Sequence, residues 1–420
     1  MASFREVLKN KNFFLLWLGQ IISQFGDRLN QMALIALISA RAPGSTWQLA
    51  KTLSCTVLPV LLVGPIASSY VDRWDRRRTM IVCDFLRAVL VGSIFLVFIK
   101  LESIWPVYLV IFLTFSISRF FVPAKMAIIP ELVSAEKLLL ANSLTSITGM
   151  IAVVAGFGLG GLLVERIGSA GGFLIDALTY LVSALLILAI IAKRIPDLQP
   201  GHRVSRQVLN VRKILKKTLF TDIKEGWQYF LGDKDVRFVA QLFFFLGATI
   251  GAISVVTIVF VQNAFGSVTY DLGILAVFLG VGLFCGALIY GRFGDRFSRM
   301  KTITVALGSS GLVLIAFTIF LKVFSSSLFA QLLSLILGLT LAPIIISSQT
   351  LIHEVTQEKM RGRTFGSLDI VGYSAFLLFM FLSSFLAEQI GRFWILIFVG
   401  LILSITGWGT FILGEKNERI

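Results

Sequence analysis

Twelve long apolar runs separated by charged connections constrain this chain more tightly than any motif in it. A helix needs about 20 mostly apolar residues to cross a bilayer. Such runs occupy about 13–40, 47–70, 79–99, 104–124, 138–164, 171–192, 237–263, 270–291, 302–321, 326–350, 365–388 and 393–413. They are too many for one soluble core. Of the 420 residues, 56% are hydrophobic and 15% charged, against roughly 45–50% and about 25% in an average globular chain. The expected fold is an all-α membrane protein with twelve transmembrane helices in two pseudo-symmetric six-helix bundles. Residues 1–192 are the N-terminal bundle, 193–235 a basic cytoplasmic linker, and 236–420 the C-terminal bundle.

The charges sit where such a fold needs them. Lys and Arg number 38 against 23 Asp and Glu, a formal charge of +15. A soluble chain this basic would read as a nucleic-acid binder; here the basic residues lie between apolar runs, which argues against that partner. Loops rich in Lys and Arg stay on the cytoplasmic side. With both termini placed there, 29 of the 38 fall on that side, and Arg41, Lys51, Lys100, Arg166, Lys322 and Arg392 fall on the other. Arg28, Arg87 and Arg119 lie inside runs. An odd number of spans would destroy this asymmetry. The chain is therefore expected to be multi-pass in a bacterial cytoplasmic membrane, in contact with membrane lipids, with both termini cytoplasmic. Its first run has no small-residue cleavage site and reads as a retained span.

Several chemistries find no residues to carry them. Cys55, Cys83 and Cys285 lie in apolar runs with no C-x-x-C, and His202 and His353 are far apart, so no metal and no cofactor is expected. There is no phosphate-binding G-x-x-x-x-G-K-[ST] and no Ser–His–Asp set, which argues against an enzyme or an ATP-driven pump. Residues 156–161 match G-x-G-x-x-G, but inside an apolar run rather than between a strand and a helix, so they are no dinucleotide fingerprint. Small residues there allow close helix approach.

A duplication is written into the spacing. The second connection reads Ser68-x-x-x-Asp72-Arg73-x-Asp75-Arg76-Arg77-Arg78, and the eighth reads Gly291-x-x-x-Asp295-Arg296-x-Ser298-Arg299-Met300-Lys301. The interval from Asp72 to Asp295 recurs unchanged from Glu131 to Glu354 and from Asn12 to Asp235. Three landmarks at one offset indicate a repeated six-helix unit, and parallel repeats place a substrate site between the halves near the midplane. In the central segment, Val204, Val208, Val211, Leu215 and Leu219 share one face of a helical wheel, with basic residues elsewhere. Two readings stand: an interfacial helix on anionic headgroups, or a basic tether that only obeys the charge rule.

These loops resemble the G-x-x-x-D-R-x-G-R-R/K signature of the major facilitator superfamily, with Ser68 and Asp75 in place of its glycines in the first copy and Ser298 in the second. Pro123-Ala124-Lys125, Ile129-Pro130-Glu131-Leu132-Val133, Ala141-Asn142-Ser143, residues 222–229 and residues 361–366 are similar to the branch that includes macrolide-efflux proteins and the enterobactin exporter. Around Phe25-Gly26-Asp27, Pro123-Ala124-Lys125 and Asn142 the lysophospholipid transporters are similar too. The resemblance implies a monomeric secondary transporter, an exporter of amphiphilic small molecules working by alternating access with H+ or Na+ as coupling ion. Its alternative is a lysophospholipid transporter or flippase. Residues 156–161 are also similar to the family's G-P-x-x-G-G antiporter motif, with Phe157 in place of the proline.

An ionisable group at the centre of a span costs about 2.5–3.5 kcal/mol on insertion scales, so each needs a reason. Asp27 lies past the middle of the first run, with Gln24 and Gln31 on its face and Gln20 a turn back. It is the expected proton or cation site; the alternative is a structural carboxylate paired to a neighbouring helix. Arg28 points about 100° away and either bridges to Asp176 or meets substrate. Arg119, in the fourth run, binds an anionic group or snorkels, and Gln241 and Gln262 are cavity candidates on the seventh. Asp84 and Arg87, three apart, are expected to satisfy one another. By family resemblance, Asp72 accepts hydrogen bonds from the start of the eleventh span, and Asp295 from the fifth. Arg73, Arg76, Arg296 and Arg299 are expected to bridge to Glu131, Glu354 or Asp369 as cytoplasmic locks. The alternative, loops basic for topology alone, leaves the paired aspartates unexplained.

Overall fold

The computed structural model describes residues 4–71, 74–100, 103–191, 234–355 and 361–417. Asp72, Arg73, the basic stretch 204–219 and the side chain of Asp295 lie outside the described residues. The helices are α1 (Phe4–Leu8), α2 (Lys11–Arg41), α3 (Thr46–Leu62), α4 (Gly64–Val71), α5 (Arg76–Lys100), α6 (Trp105–Leu132) and α7 (Leu138–Leu188), followed by α8 (Lys234–Phe265), α9 (Tyr270–Phe293), α10 (Arg299–Phe324), α11 (Ser327–Val355), α12 (Arg361–Ile390) and α13 (Arg392–Asn417). The twelve apolar runs fall on these helices, the second divided between α3 and α4 at Val63, and the described residues include no strand. Eight helices among them are long and apolar enough to cross a membrane. The polar groups of α2 and α5, Asp27, Arg28, Asp84 and Arg87 among them, make those two helices less apolar.

Local chemistry explains where the helices begin and turn. The Asn10 side chain accepts hydrogen bonds from the backbone N–H of Asn12 and Phe13 and so starts α2, while Ser45 starts α3 and Ser298 starts α10 by the same capping. The fifth and sixth runs are two arms of α7, reversed at Gly168 with φ 75°. Gly391, at φ 92°, makes the matching reversal between α12 and α13. A backbone in that region favours glycine, which has no Cβ to clash, so one residue does the work of the longer connection expected between those runs. The helix on the fourth run continues past its expected end, through Pro123 and Pro130 to Leu132.

The packing repeats as the spacing does. In the N-terminal set α2 lies against both arms of α7, α5 against α6 and α7, and α6 against α3 and α4. In the C-terminal set α8 lies against α12 and α13, α10 against α11 and α13, and α11 against α9. The interval that carries Asp72 onto Asp295 also carries each pairing onto its counterpart. The two sets meet where α7 touches α9 and α3 touches α12. Large apolar side chains, Leu185, Phe284, Trp394 and Ile405 among them, stand exposed around the outside. That is a surface suited to lipid rather than water.

Candidate functional site

The polar face of α2 is built into the centre of the N-terminal set. Asp27 and Asn30 lie three apart and meet the second arm of α7. The Tyr180 hydroxyl donates to Asp27 Oδ1. Asn30 Nδ2 donates to Asp176 Oδ2 at 2.6 Å, and Thr179 Oγ1, which donates to the Asp176 backbone oxygen at 2.7 Å, lies 3.3 Å from the other oxygen of that carboxylate. Gly26 makes this approach possible, because a Cβ there would collide with Thr179 and Asp176.

Arg87 ties the face to α5 and α6. Its guanidinium is paired with Asp84 one turn earlier on α5, as the spacing leads one to expect. The Tyr180 ring covers one side of it at 4.3 Å and the Phe121 ring lies at 4.4 Å. Asp84 and Asp176 are fully buried and Arg87 is 3% exposed. Contacts therefore run from Asp84 through Arg87 and Tyr180 to Asp27, with Asp176 alongside. Asp84 and Asp176 lie in a water-poor centre with the guanidinium, and the part-buried Asp27 joins them through Tyr180. Stacking and pairing compensate part of the cost of burying that charge.

Other expected residues land differently. Arg28 does not bridge to Asp176. It donates to Gln31 Oε1 at 3.1 Å and lies over the Phe157 ring at 5.2 Å. One residue beyond Asp27, it faces the first arm of α7, where Gly156 leaves room for its side chain, while Asp176 belongs to the second arm. Gln24 also faces the first arm, at Gly149. Gln20 is buried with Nε2 unpartnered, and Arg119 on α6 has a buried Nε without a partner. Arg119 lies within electrostatic range of Asp27 and of Tyr373 on α12. Gln241 lines a cavity of about 550 Å³ with Phe245, Ile303, Leu307 and Thr406. That cavity is lined by α8, α10, α12 and α13, all of the C-terminal set, because Gln241 shares a face with Phe238 and Phe245 that turns toward α10.

At the end of the bundle that holds both termini, Arg76 pairs with Glu131 at 2.7 Å and Arg299 with Glu354 at 3.6 Å. Each pair closes within one set, so neither is a lock between the two. Arg296 lies over the Phe293 ring at 5.4 Å. Asp369, on α12, has no arginine partner among the described residues. Reasoning from the chain alone did not reach Tyr180 or Asn30, since neither carries a charge. It also passed over Glu165 and Glu388, although they stand at the same interval as Asp72 and Asp295.

Comparison with known proteins places this architecture. The model of the Major Facilitator Superfamily matches residues 16–378 and 238–418. Macrolide efflux protein A of Streptococcus pyogenes is 25% identical over 400 residues, 94% of this chain and 94% of that protein. Multidrug efflux pump Tap of Mycobacterium tuberculosis is 25% identical over 397 residues, 90% and 87% of the two chains. Among solved structures, the nucleoside transporter NupG superposes with a TM-score of 0.73 at 11% identity, over 96% of this chain and 98% of that one. The chain belongs to the Major Facilitator Superfamily and is a multi-pass membrane transporter of small molecules, not an enzyme.

Proposed function

We propose that this transporter exports amphiphilic small molecules from the cytoplasm by alternating access, driven by protons that bind at Asp27. The observation that carries the reading is the contact of Asp27 with Tyr180, whose ring stacks on Arg87. The carboxyl groups of Asp84 and Asp176 stand near Asp27, with Arg87, Arg119 and Lys125 as the facing cations, so a proton arriving at the cluster changes its charge balance. Ionised, Asp27 holds the Tyr180 hydroxyl and so holds α2 to the second arm of α7; protonated, it accepts that bond more weakly. Proton uptake and helix packing are thereby linked through one hydrogen bond, as coupling requires of any site that biases two conformations. The efflux proteins among its relatives support the direction and the amphiphilic substrate. The distribution of Lys and Arg supports cytoplasmic termini.

In this reading residues 4–191 and 234–417 rock as two bodies, and substrate binds between them beside Gln20, Gln24, Arg28, Gln31 and Arg119. The test is uptake into proteoliposomes of a macrolide, a cationic dye, a siderophore and a lysolipid, with an imposed pH gradient, an imposed sodium gradient or neither. Accumulation driven by the pH gradient that vanishes in Asp27→Asn, while downhill exchange persists, is the expected result. Normal uphill accumulation by Asp27→Asn would remove Asp27 from the coupling site, and accumulation of lysolipid alone would overturn the exporter reading.

A further inference from the structure

The two sets are joined at the end opposite the termini by a pair of reciprocal clasps. At the first, Glu165 on the first arm of α7 reaches the start of α9. Its Oε2 accepts from Thr269 N at 2.6 Å and Tyr270 N at 3.1 Å, with Thr269 Oγ1 3.0 Å away, and its Oε1 accepts from Val268 N at 3.2 Å. Thr269 is the capping position of α9, yet its hydroxyl makes no bond to its own helix. It donates instead to Gly161 O at 2.8 Å. The free N–H groups at the start of α9 are thus satisfied by a carboxylate from the other set, where the helix dipole favours an anion.

The second clasp is the same device with the sets exchanged. Glu388 at the end of α12 accepts from Trp47 N at 3.0 Å and from Ser45 Oγ at 2.8 Å at the start of α3. Thr46 Oγ1 donates to Ser384 O at 2.8 Å. Glu165 and Glu388, Thr46 and Thr269, and Gly161 and Ser384 are equivalent positions of the two repeats. Between the clasps, Gln262 Nε2 donates to Ser39 Oγ at 2.9 Å, and these two residues are equivalent positions as well. Beneath lies a core cluster to which both sets contribute, including Leu29, Val255, Val259 and Met380.

We propose that Glu165 and Glu388 are the gating residues of the far face: this structure is closed there, and substrate leaves only when both carboxylates release the helix starts they hold. The inference rests on the alternating-access reading, because a transporter of that kind must part its halves at this end. The clasps are polar, lie at helix ends and join opposite sets. Their own hydrogen bonds therefore exchange for water on opening at small net cost, while the shared apolar core and the contact of Trp47 with Phe381 part with them. They are also unequal. Glu165 accepts three backbone N–H groups and Glu388 one, so the first clasp is the stronger.

The test uses the full chain with Cys55, Cys83 and Cys285 replaced by Ser and Ile258→Cys added, one turn in from Gln262 and packed on the shared core. A membrane-impermeant maleimide is applied in right-side-out vesicles. Labelling is expected to quicken by about tenfold or more in Glu165→Gln/Glu388→Gln, and by less in either single variant, with Glu165→Gln the larger. Thr46→Val/Thr269→Val, which leaves every charge in place, is expected to move labelling the same way and guards against misfolding of the glutamine variants. In a second arm, a disulfide between Ser45→Cys and Glu388→Cys is expected to stop transport until reduced. Labelling at the parent rate in both double variants, or transport through the cross-linked clasp, overturns the proposal. Labelling needs no substrate and no gradient, so failure of the proton-coupling reading leaves this result standing.

Discussion

The centres of the two helix sets occupy equivalent places and hold opposite chemistry. In the N-terminal set Asn30, Asp84, Arg87, Asp176 and Tyr180 form a buried polar cluster that the part-buried Asp27 joins. The equivalent positions of the second repeat are Ile250, Ile253, Leu307, Ser310, Val399 and Leu403. Leu307 and Leu403 belong to an apolar core with Ile303, Leu314 and Ile344, and Ile253 and Val399 pack against it. Where Arg87 stands in one set, Ser310 makes a single bond to Thr340 at 2.9 Å in the other. Yet the ends of the sets match: Arg76–Glu131 is repeated by Arg299–Glu354, and the Glu165 clasp by the Glu388 clasp. The repeated positions keep the ion pairs and the clasps at the ends and hold the ionisable centre in one half only. The helix fold does not need that centre, since the C-terminal set makes the same packing without it. A buried ion cluster is weak support for stability, so its presence in one half points to work rather than to folding.

That contrast can be broken in several ways. The largest effect is expected from Asp27→Asn, which should abolish gradient-driven accumulation in proteoliposomes, whereas Ile250→Ala at the matching place should change it by only a few fold. Arg87→Met leaves Asp84 buried without its partner, and thermal unfolding in detergent should register a loss of about 3–5 kcal/mol. Pairing it with Asp84→Asn should recover much of that loss, because the stranded charge is gone. Gly26→Ala should cost about 1–3 kcal/mol by overpacking against Thr179 and Asp176, measured the same way. The counterpart position already holds Thr249, so the second set accommodates a side chain that the first excludes. The smallest effect belongs to the repeated brackets: Arg76→Ala and Arg299→Ala remove half-exposed ion pairs and should each cost no more than about 1 kcal/mol. A bracket loss rivalling that of Arg87→Met would show the ends to be as specialised as the centre.

How much of this was readable in the chain depends on the kind of information each residue carries. Asp27, Asp84 and Arg87 were found because a charge inside an apolar run is conspicuous, and the last two pair because three residues bring side chains together on one helix. Tyr180 and Asn30 gave no such sign, and of the two places open to Arg28 the bridge to Asp176 on the second arm of α7 is not made. A helical wheel says which way a side chain points relative to its own axis but not which neighbour stands there. Gln241 illustrates the same limit: it is polar and well placed along α8, and its face turns toward α10 rather than toward α2.

The amino-acid order by itself determined the membrane setting, the helical runs and the repeat in their spacing, because hydrophobic length and periodicity are local properties that a bilayer reads directly. Tertiary structure alone decided which carboxylate meets Tyr180 and which helix start receives Glu165 and Glu388. Those are contacts between residues far apart in the chain. They form only once close-packed helices have fixed their neighbours, and nothing in a helix's own sequence encodes that choice.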